Sequence, residues 1–452
     1  MRTERDKLGL VSLPDDALYG IQSVRARDNF ALSYKHVCPR LIQAIVKVKK
    51  SAAITYEKLG EGRAGVYAAI LKACDLVLAG EAGSEREMFI TDALQGGAGT
   101  STNMNVNEVL ANLALRQMGR PCGEYETVHP LDDVNRGQST NDVYTTALRI
   151  ASIEALRELS ESCAKLQEAL QRRENEFDSI RKLGRTELMD AVPITLGEEF
   201  GAYAQAMARD RWRLYKVEER LRQVNLGGTA VGLSDNASRA YRFGVIEELR
   251  KITGIGLAVA EYPMDITQNN DIFVEVSGLL KALAVNLMKM ANDLRLMNSG
   301  PHGGLGEIRL ADMQAGSTIM PGKVNPVIPE MTMQAAMKVI SGDTAITFAA
   351  AHGEFELNAF LPLIADTLLE NLSLLERTVT IFREKCVETL AANEARCALL
   401  LDGSNAHATS YVPLLGYDTV TRIIDENRGD PAKVTAALDA ASRKLRLSDG
   451  DL

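Results

Sequence analysis

The chain has 452 residues, 46% of them hydrophobic and 25% charged, with a net charge of -9. This composition excludes disorder over most of the length. The acidic balance also speaks against nucleic acid or an anionic membrane as partner, because neither meets a broad basic surface. A small anionic substrate stays open, since it needs only a local cationic pocket.

The length calls for two or three domains, or for one long helical assembly. Met1 to Asp6 is followed by no apolar run, so no signal peptide is expected. No stretch of about 18 apolar residues marks a membrane span. Cys38, Cys74, Cys122, Cys163, Cys386 and Cys397 stand far apart with no CxxC pair. They read as reduced, mostly structural thiols of a cytoplasmic protein.

In chain order, the first thirty-odd residues are mixed, with a turn at Pro14 and an aromatic-glycine step at Tyr19-Gly20. Helices are predicted from near Pro39, over Arg63 to Leu78, and from about Asn103 to Met118, each with apolar positions three and four apart. From Asn141 to Phe177 there is neither Gly nor Pro, and Leu156, Leu159, Cys163, Leu166 and Leu170 keep the helical spacing. That predicts a helix well beyond the usual globular length. Phe200 to Val224, Phe273 to Met297, Pro329 to Ala350 and Leu361 to Val387 are four more long candidates. Five such helices between Gly/Pro-rich junctions predict a mainly α fold built on a bundle.

The spacing divides the chain into an N-terminal helical domain (1–138), a central bundle (139–390) and a small C-terminal domain (391–452). Leu279, Leu280, Leu283, Ala284, Val285, Leu287, Met288 and Met290 cover more than one helix face. Central placement in a large bundle would explain this. So would oligomerisation through the helices, the favoured reading.

Four polar segments interrupt the pattern. Gln95 to Asn103 is Gly-rich and precedes a helix, with Thr102 or Ser101 as expected N-cap. Its glycines permit a curled backbone whose N–H groups could hold an anion. Gln138-Ser139-Thr140-Asn141-Asp142 begins the first long helix; capping explains one hydroxyl but does not require three neutral polar residues in a row. At a positive helix end they suit a carboxylate or phosphate. Gly184 to Asp190 reads either as a functional loop or as a turn laced by an Arg185–Asp190 ion pair. Gly316-Ser317-Thr318-Ile319-Met320-Pro321-Gly322-Lys323-Val324-Asn325-Pro326 sets hydroxyls, a cation and an amide in one ordered loop between helices. His36, His129, His302, His352 and His407 have no metal-ligand spacing, and Walker A, dinucleotide and G-x-S-x-G patterns find no support.

The 316–326 segment resembles the signature of the aspartase/fumarase superfamily. Gly96 to Asn105, Gln138 to Asp142 and Gly184 to Pro193 resemble its other characteristic regions, in the right order, and the likeness covers essentially the whole chain. It implies an aspartase/fumarase-like fold in a homotetramer, where five long helices from each chain make a 20-helix core and each active site draws loops from three subunits. It implies reversible anti elimination across a C–C bond, with a small dicarboxylate or amino acid as substrate. No cofactor is general in the family, although some aspartases bind an activating divalent metal. Ser317 matches the base that takes the C3 proton, leading to an aci-carboxylate. Lys323 and Asn325 resemble the residues binding the carboxylate beside C3. Thr100, Ser139, Thr140, Asn141 and Thr186 match the other substrate-binding positions.

Within the family, Pro326-Val327-Ile328-Pro329-Glu330 and Met313-Gln314-Ala315 resemble the aspartase form, whereas His129 to Asn135 resembles the fumarase form. Fumarases carry a histidine at the position of Glu187, as do some aspartases; other aspartases have glutamine. Hydroxide needs a proton to leave; an ammonium substituent departs as neutral ammonia without one. Glu187 would also attract the substrate ammonium or a larger amine, and Asp235 adds a second negative charge. The expectation is a C–N lyase acting on L-aspartate or a substituted aspartate, with fumarate hydratase as the alternative.

Overall fold

Apolar residues spaced three and four apart make most of this chain helical. A computed structural model describes residues 1–448. It opens on a hairpin of β1 (Arg2–Asp6) and β2 (Gly9–Leu13), paired antiparallel from Arg2↔Leu13 to Asp6↔Gly9. Helices α1 (Ile21–Asn29), α2 (Pro39–Lys58), α3 (Val66–Leu78), the short α4 (Glu85–Met88) and α5 (Thr100–Gln117) follow. Next come α6 (Thr140–Glu176), the antiparallel pair β3 (Arg181–Thr186) and β4 (Met189–Thr195), α7 (Leu196–Leu221), α8 (Arg239–Thr253) and α9 (Pro263–Gln268). Then α10 (Asp271–Met297), α11 (Val327–Ala351) and α12 (Leu361–Phe382) lead to the tail helices α13 (Glu394–Asp402), α14 (Val412–Leu415), α15 (Tyr417–Glu426) and α16 (Pro431–Ser448).

The five long helices α6, α7, α10, α11 and α12 have 37, 26, 27, 25 and 22 residues. At 1.5 Å per residue, α6 spans roughly 55 Å. The chain forms a mainly α, helix-bundle structure. Two compact units share it: Met1–Ser160 with Trp212–Ala282 and Lys338–Leu375, and Glu161–Arg211 with Leu283–Met337 and Glu376–Leu452.

In the first unit α2 packs on α3, α5 and α8. Pro39 suits the first turn of α2, where its missing N–H has no partner to lose. Leu41, Ile42, Ile45, Val46 and Val48 are fully buried, each worth about 2 kcal/mol of transfer free energy. Tyr56 of α2 stacks between Tyr67 and Tyr241, with ring centroids 5.6 and 4.6 Å away. Buried Glu108 of α5 accepts the N–H groups of Gly20, Gln22 and Ser23 at 2.8, 2.8 and 3.1 Å, holding the start of α1. Burial pushes its carboxyl up to about 7, and those donors together with the Ser23 hydroxyl oppose the shift.

In the second unit α13 lies on β3, and Leu183 packs with Leu401 and Ala406. A reciprocal capping box starts α7: Glu198 Oε2 accepts the Thr195 N–H at 2.8 Å, and Thr195 Oγ1 accepts the Glu198 N–H at 3.0 Å. This box begins the helix at Leu196, ahead of the predicted Phe200. The tail has its own apolar cluster of Ala408, Val420, Ile423, Val434 and Leu438. On α10, Leu280, Leu283, Ala284, Leu287 and Met290 are buried within the chain itself, while Val285 stays 47% exposed. Among the described residues no helix is long and apolar enough to cross a membrane.

Candidate active site

Two helix N-termini meet in the first unit. Helix α5 begins at Thr100, one residue earlier than the expected cap pair of Ser101 and Thr102. Gly99 is the N-cap at φ 90°, a backbone conformation that favours glycine, and a Cβ there would run into the Tyr144 ring of α6. Capping falls instead to Gln95, whose Oε1 accepts the Thr102 N–H at 3.0 Å and the Thr102 hydroxyl at 3.1 Å. Thr100 lies exposed on the first turn.

Ser139 precedes α6 and forms a second capping box. Its Oγ accepts the Asn141 N–H at 3.2 Å, while Asp142 Oδ1 accepts the Ser139 N–H at 3.0 Å. Asp142 Oδ2 accepts the N–H groups of Gly227 and Thr229 at 3.0 and 2.9 Å. The fully buried carboxylate thus fastens the 227–229 turn to the helix start. Burial pushes its pKa up to about 7, against the pull of those N–H donors and of Lys49. Asn141 Nδ2 donates to the Ala230 carbonyl at 2.8 Å, on the segment that leads to Asp235. Thr140 Oγ1 accepts from Asn103 Nδ2 at 3.0 Å and ties the start of α6 to α5. Thr100, Ser139, Thr140 and Asn141 therefore sit on two joined, electropositive helix ends, an arrangement that favours a carboxylate.

The other expected residues lie in the second unit. Thr186 and Glu187 occupy the β3–β4 turn, where Thr186 pairs with Met189 and only Glu187 and Leu188 connect the strands. Both connectors have positive φ, 54° and 64°. Such turns normally take Asn-Gly, and an ordinary side chain there costs about 1 kcal/mol or more. The base of this hairpin is clamped. Arg185 Nη1 donates to Glu307 Oε1 at 2.9 Å, and buried Lys182 reaches Glu199 at 2.6 Å and Glu307 at 3.2 Å. The Arg185–Asp190 ion pair offered by the sequence is not formed: the two are register partners across the hairpin, and Arg185 turns inward to the buried carboxylate.

Ser317, Lys323 and Asn325 share one loop. Its neck closes tightly, since a Cβ at Gly316 would overlap the Lys323 carbonyl oxygen, and Asn325 Nδ2 reaches the Gly316 carbonyl at 3.3 Å. Ser317 Oγ accepts two backbone N–H groups of its own loop, Ile319 at 3.2 Å and Met320 at 2.8 Å. Lys323 is exposed, and no carboxylate among the described residues pairs with it. Among the described residues no group of three or more His, Cys, Asp or Glu side chains is arranged to hold a metal ion.

Residues 9–341 match a protein family described as Lyase. The chain is 44% identical to an aspartate ammonia-lyase of Pseudomonas canavaninivorans, covering 93% of this chain and 89% of the relative. It superposes with a TM-score of 0.92 on a fumarate lyase:delta crystallin of Brucella melitensis bound to cobalt, at 44% identity and 99% coverage of both chains. This chain belongs to the aspartase/fumarase superfamily. A class II fumarase of Schistosoma mansoni shares the fold at 29% identity, with a TM-score of 0.92 over 98% of this chain and 97% of that one.

As an aspartase/fumarase superfamily member, the chain is a lyase closely related to aspartate ammonia-lyases. Sequence reasoning located the polar loops but missed the support behind them: buried Lys49, Asn103, Asn107 and Asp142 and half-buried Asn135. A signal was present for Lys49. It stands four residues after Ile45 and seven after Ile42, at the spacing of the buried stripe of α2. Lysine at a core position is rarely left without partners. His129 is likewise committed locally: its Nδ1 accepts the N–H groups of Leu131 and Asp132 at 3.2 and 3.1 Å.

Proposed function

We propose that this chain catalyses the reversible anti elimination of ammonia from L-aspartate to give fumarate. The observation that carries the chemistry is the pair of backbone N–H groups aimed at Ser317 Oγ. A free serine hydroxyl is a very poor base. Two N–H donors stabilise its oxyanion, and the nearby Lys323 adds positive charge without a competing carboxylate.

In this reading Ser317 takes the C3 proton of aspartate. The electron pair moves into the adjacent carboxylate as a dianionic aci-carboxylate, held by Lys323 and Asn325. Its collapse forms the C2=C3 double bond and breaks the C–N bond, and ammonia leaves neutral. Thr100, Ser139, Thr140, Asn141 and Thr186 grip the carboxylates through neutral donors, which avoids burying further unpaired charge. Glu187 faces the amine, where a carboxylate attracts an ammonium and repels a third carboxylate. A substituted aspartate with a larger amine fits the same logic.

Within the same reading the enzyme is a cytoplasmic homotetramer whose sites each take loops from three chains. Exposed Val285 and Leu296 on α10 and Met337 and Phe348 on α11 support such helix-to-helix assembly. The separate apolar cluster of the tail supports a small C-terminal domain from 391, after an N-terminal part to 138 and a central bundle from 139 to 390.

Incubation with fumarate and ammonium, and separately with fumarate alone, tests the reaction. Aspartate in the first tube is expected. Malate from fumarate alone, with no amine adduct in the first tube, would establish a hydratase instead.

A further inference from the structure

Behind the Ser139–Asn141 helix start lies a polar cluster, buried at Lys49, Asn103 and Asn107 and half-buried at Asn135 and Gln138. Lys49 is 1% exposed, in the apolar face of α2. Its Nζ donates to Asn135 Oδ1 at 2.7 Å and to Gln138 Oε1 at 3.1 Å. Asn135 Oδ1 also accepts from Asn103 Nδ2 at 3.1 Å and Asn107 Nδ2 at 3.2 Å. The second hydrogen of Asn103 Nδ2 goes to Thr140 Oγ1 at 3.0 Å. The oxygens Asn103 Oδ1 and Asn107 Oδ1 are buried without a partner.

These bonds have a direction. Charged or neutral, the Lys49 nitrogen has hydrogens for both of these bonds, so the amide atom of Asn135 facing it is the oxygen. That oxygen can only accept, so Asn103 and Asn107 must turn their NH2 groups toward it, which leaves their own oxygens orphaned. Two unpaired buried carbonyl oxygens are costly, and an apolar residue at position 49 would remove the reason to tolerate them. With Asn103 donating to Thr140 Oγ1, the Thr140 proton cannot point back, and no acceptor among the described residues takes it. The hydroxyl therefore offers its proton outward.

We propose that Lys49 is a positioning residue that, through Asn135 and Asn103, fixes Thr140 as a hydrogen-bond donor to the substrate carboxylate. This rests on the site assignment above. Lys49 touches no substrate; it sets the polarity of a group that does.

The test is a double-mutant cycle read by binding of succinate, a dicarboxylate with no bond to eliminate, to the full-length protein. Lys49→Met keeps the length of the side chain and removes the donor. Its succinate Kd should rise about tenfold, the worth of one hydrogen bond to a charged group. In a Thr140→Val background the same substitution should change Kd by less than about twofold, because both act through one hydroxyl. Lys49→Gln, which can still donate from its amide, should recover most of the affinity. A merely structural lysine would give the same factor with or without Thr140, and Gln would rescue no better than Met; either result overturns the proposal. If Lys49→Met does not fold, the cycle of Asn103→Ala with Thr140→Val carries the same expectation. Unchanged affinity in both Lys49→Met and Asn103→Ala also overturns it. Wild-type protein that binds succinate but makes no aspartate would refute the assigned reaction while leaving this relay standing. Wild-type protein that binds no succinate would refute both.

Discussion

The helix start at Ser139 and the loop at Gly316 carry the polar groups of the proposed site, but they are held in different ways. At Ser139 to Asp142 the hydroxyls are backed by buried side chains: Asp142 secures the backbone and Asn103 occupies Thr140 Oγ1. At Ser317 the support is the loop's own backbone, closed by a glycine neck. The first is a wall whose hydrogen-bond polarity is decided from behind. In the proposed reaction the second is a base whose charge is stabilised by amides that travel with it. Binding should therefore depend on residues far from solvent, and proton abstraction on the local shape of one exposed loop.

The largest expected break in this contrast is Ser317→Ala, which should lower kcat by about 10^3-fold with assembly and melting temperature unchanged, as read by steady-state kinetics and calorimetry. Persisting turnover would mean that another group is the base. On the wall side, Asp142→Ala strands the N–H groups of Ser139, Gly227 and Thr229. It should cost about 3 kcal/mol of stability in denaturant unfolding, a loss that no loop substitution should match.

Gly316→Ala sharpens the comparison from the loop side. Prying the neck apart should reduce kcat roughly 10- to 100-fold while the melting temperature holds.

The smallest effect is a pH signature of the wall. Burial pulls the Lys49 ammonium from 10.5 down to about 7. Between those values the unfolded chain binds a proton that the folded chain does not, so this lysine makes stability rise with pH across that window. Lys49→Met should flatten the rise in unfolding measurements above pH 7. Below pH 7 Asp142 acts the other way, because its raised value makes folded protein the better proton binder as pH falls toward 3.8.

The sequence made the long helices legible because their apolar spacing is sustained, and the polar loops legible because Gly, Pro and hydroxyls cluster there. The β3–β4 hairpin was hidden, since Glu187-Leu188 is not a pair that normally makes a two-residue turn. The early start of α7 follows from the Thr195/Glu198 box, a short polar signal ahead of the apolar spacing. Helix α8 has both end signals in the sequence, a Ser238 cap and Gly254 at φ 65°. The relay behind Thr140 joins residues 49, 103, 135 and 140. Only their meeting in space reveals it; a lysine on a buried stripe is a signal without a direction.

The most direct test of the contrast is to see the hydrogens. Neutron diffraction from deuterium-exchanged crystals would locate the Thr140 hydroxyl deuterium and the amide orientation of Asn103. A deuterium pointing away from Asn103, with the Asn103 ND2 group shared between Asn135 Oδ1 and Thr140 Oγ1, is the predicted map. A flipped Asn103, its oxygen receiving the Thr140 deuterium, would contradict it.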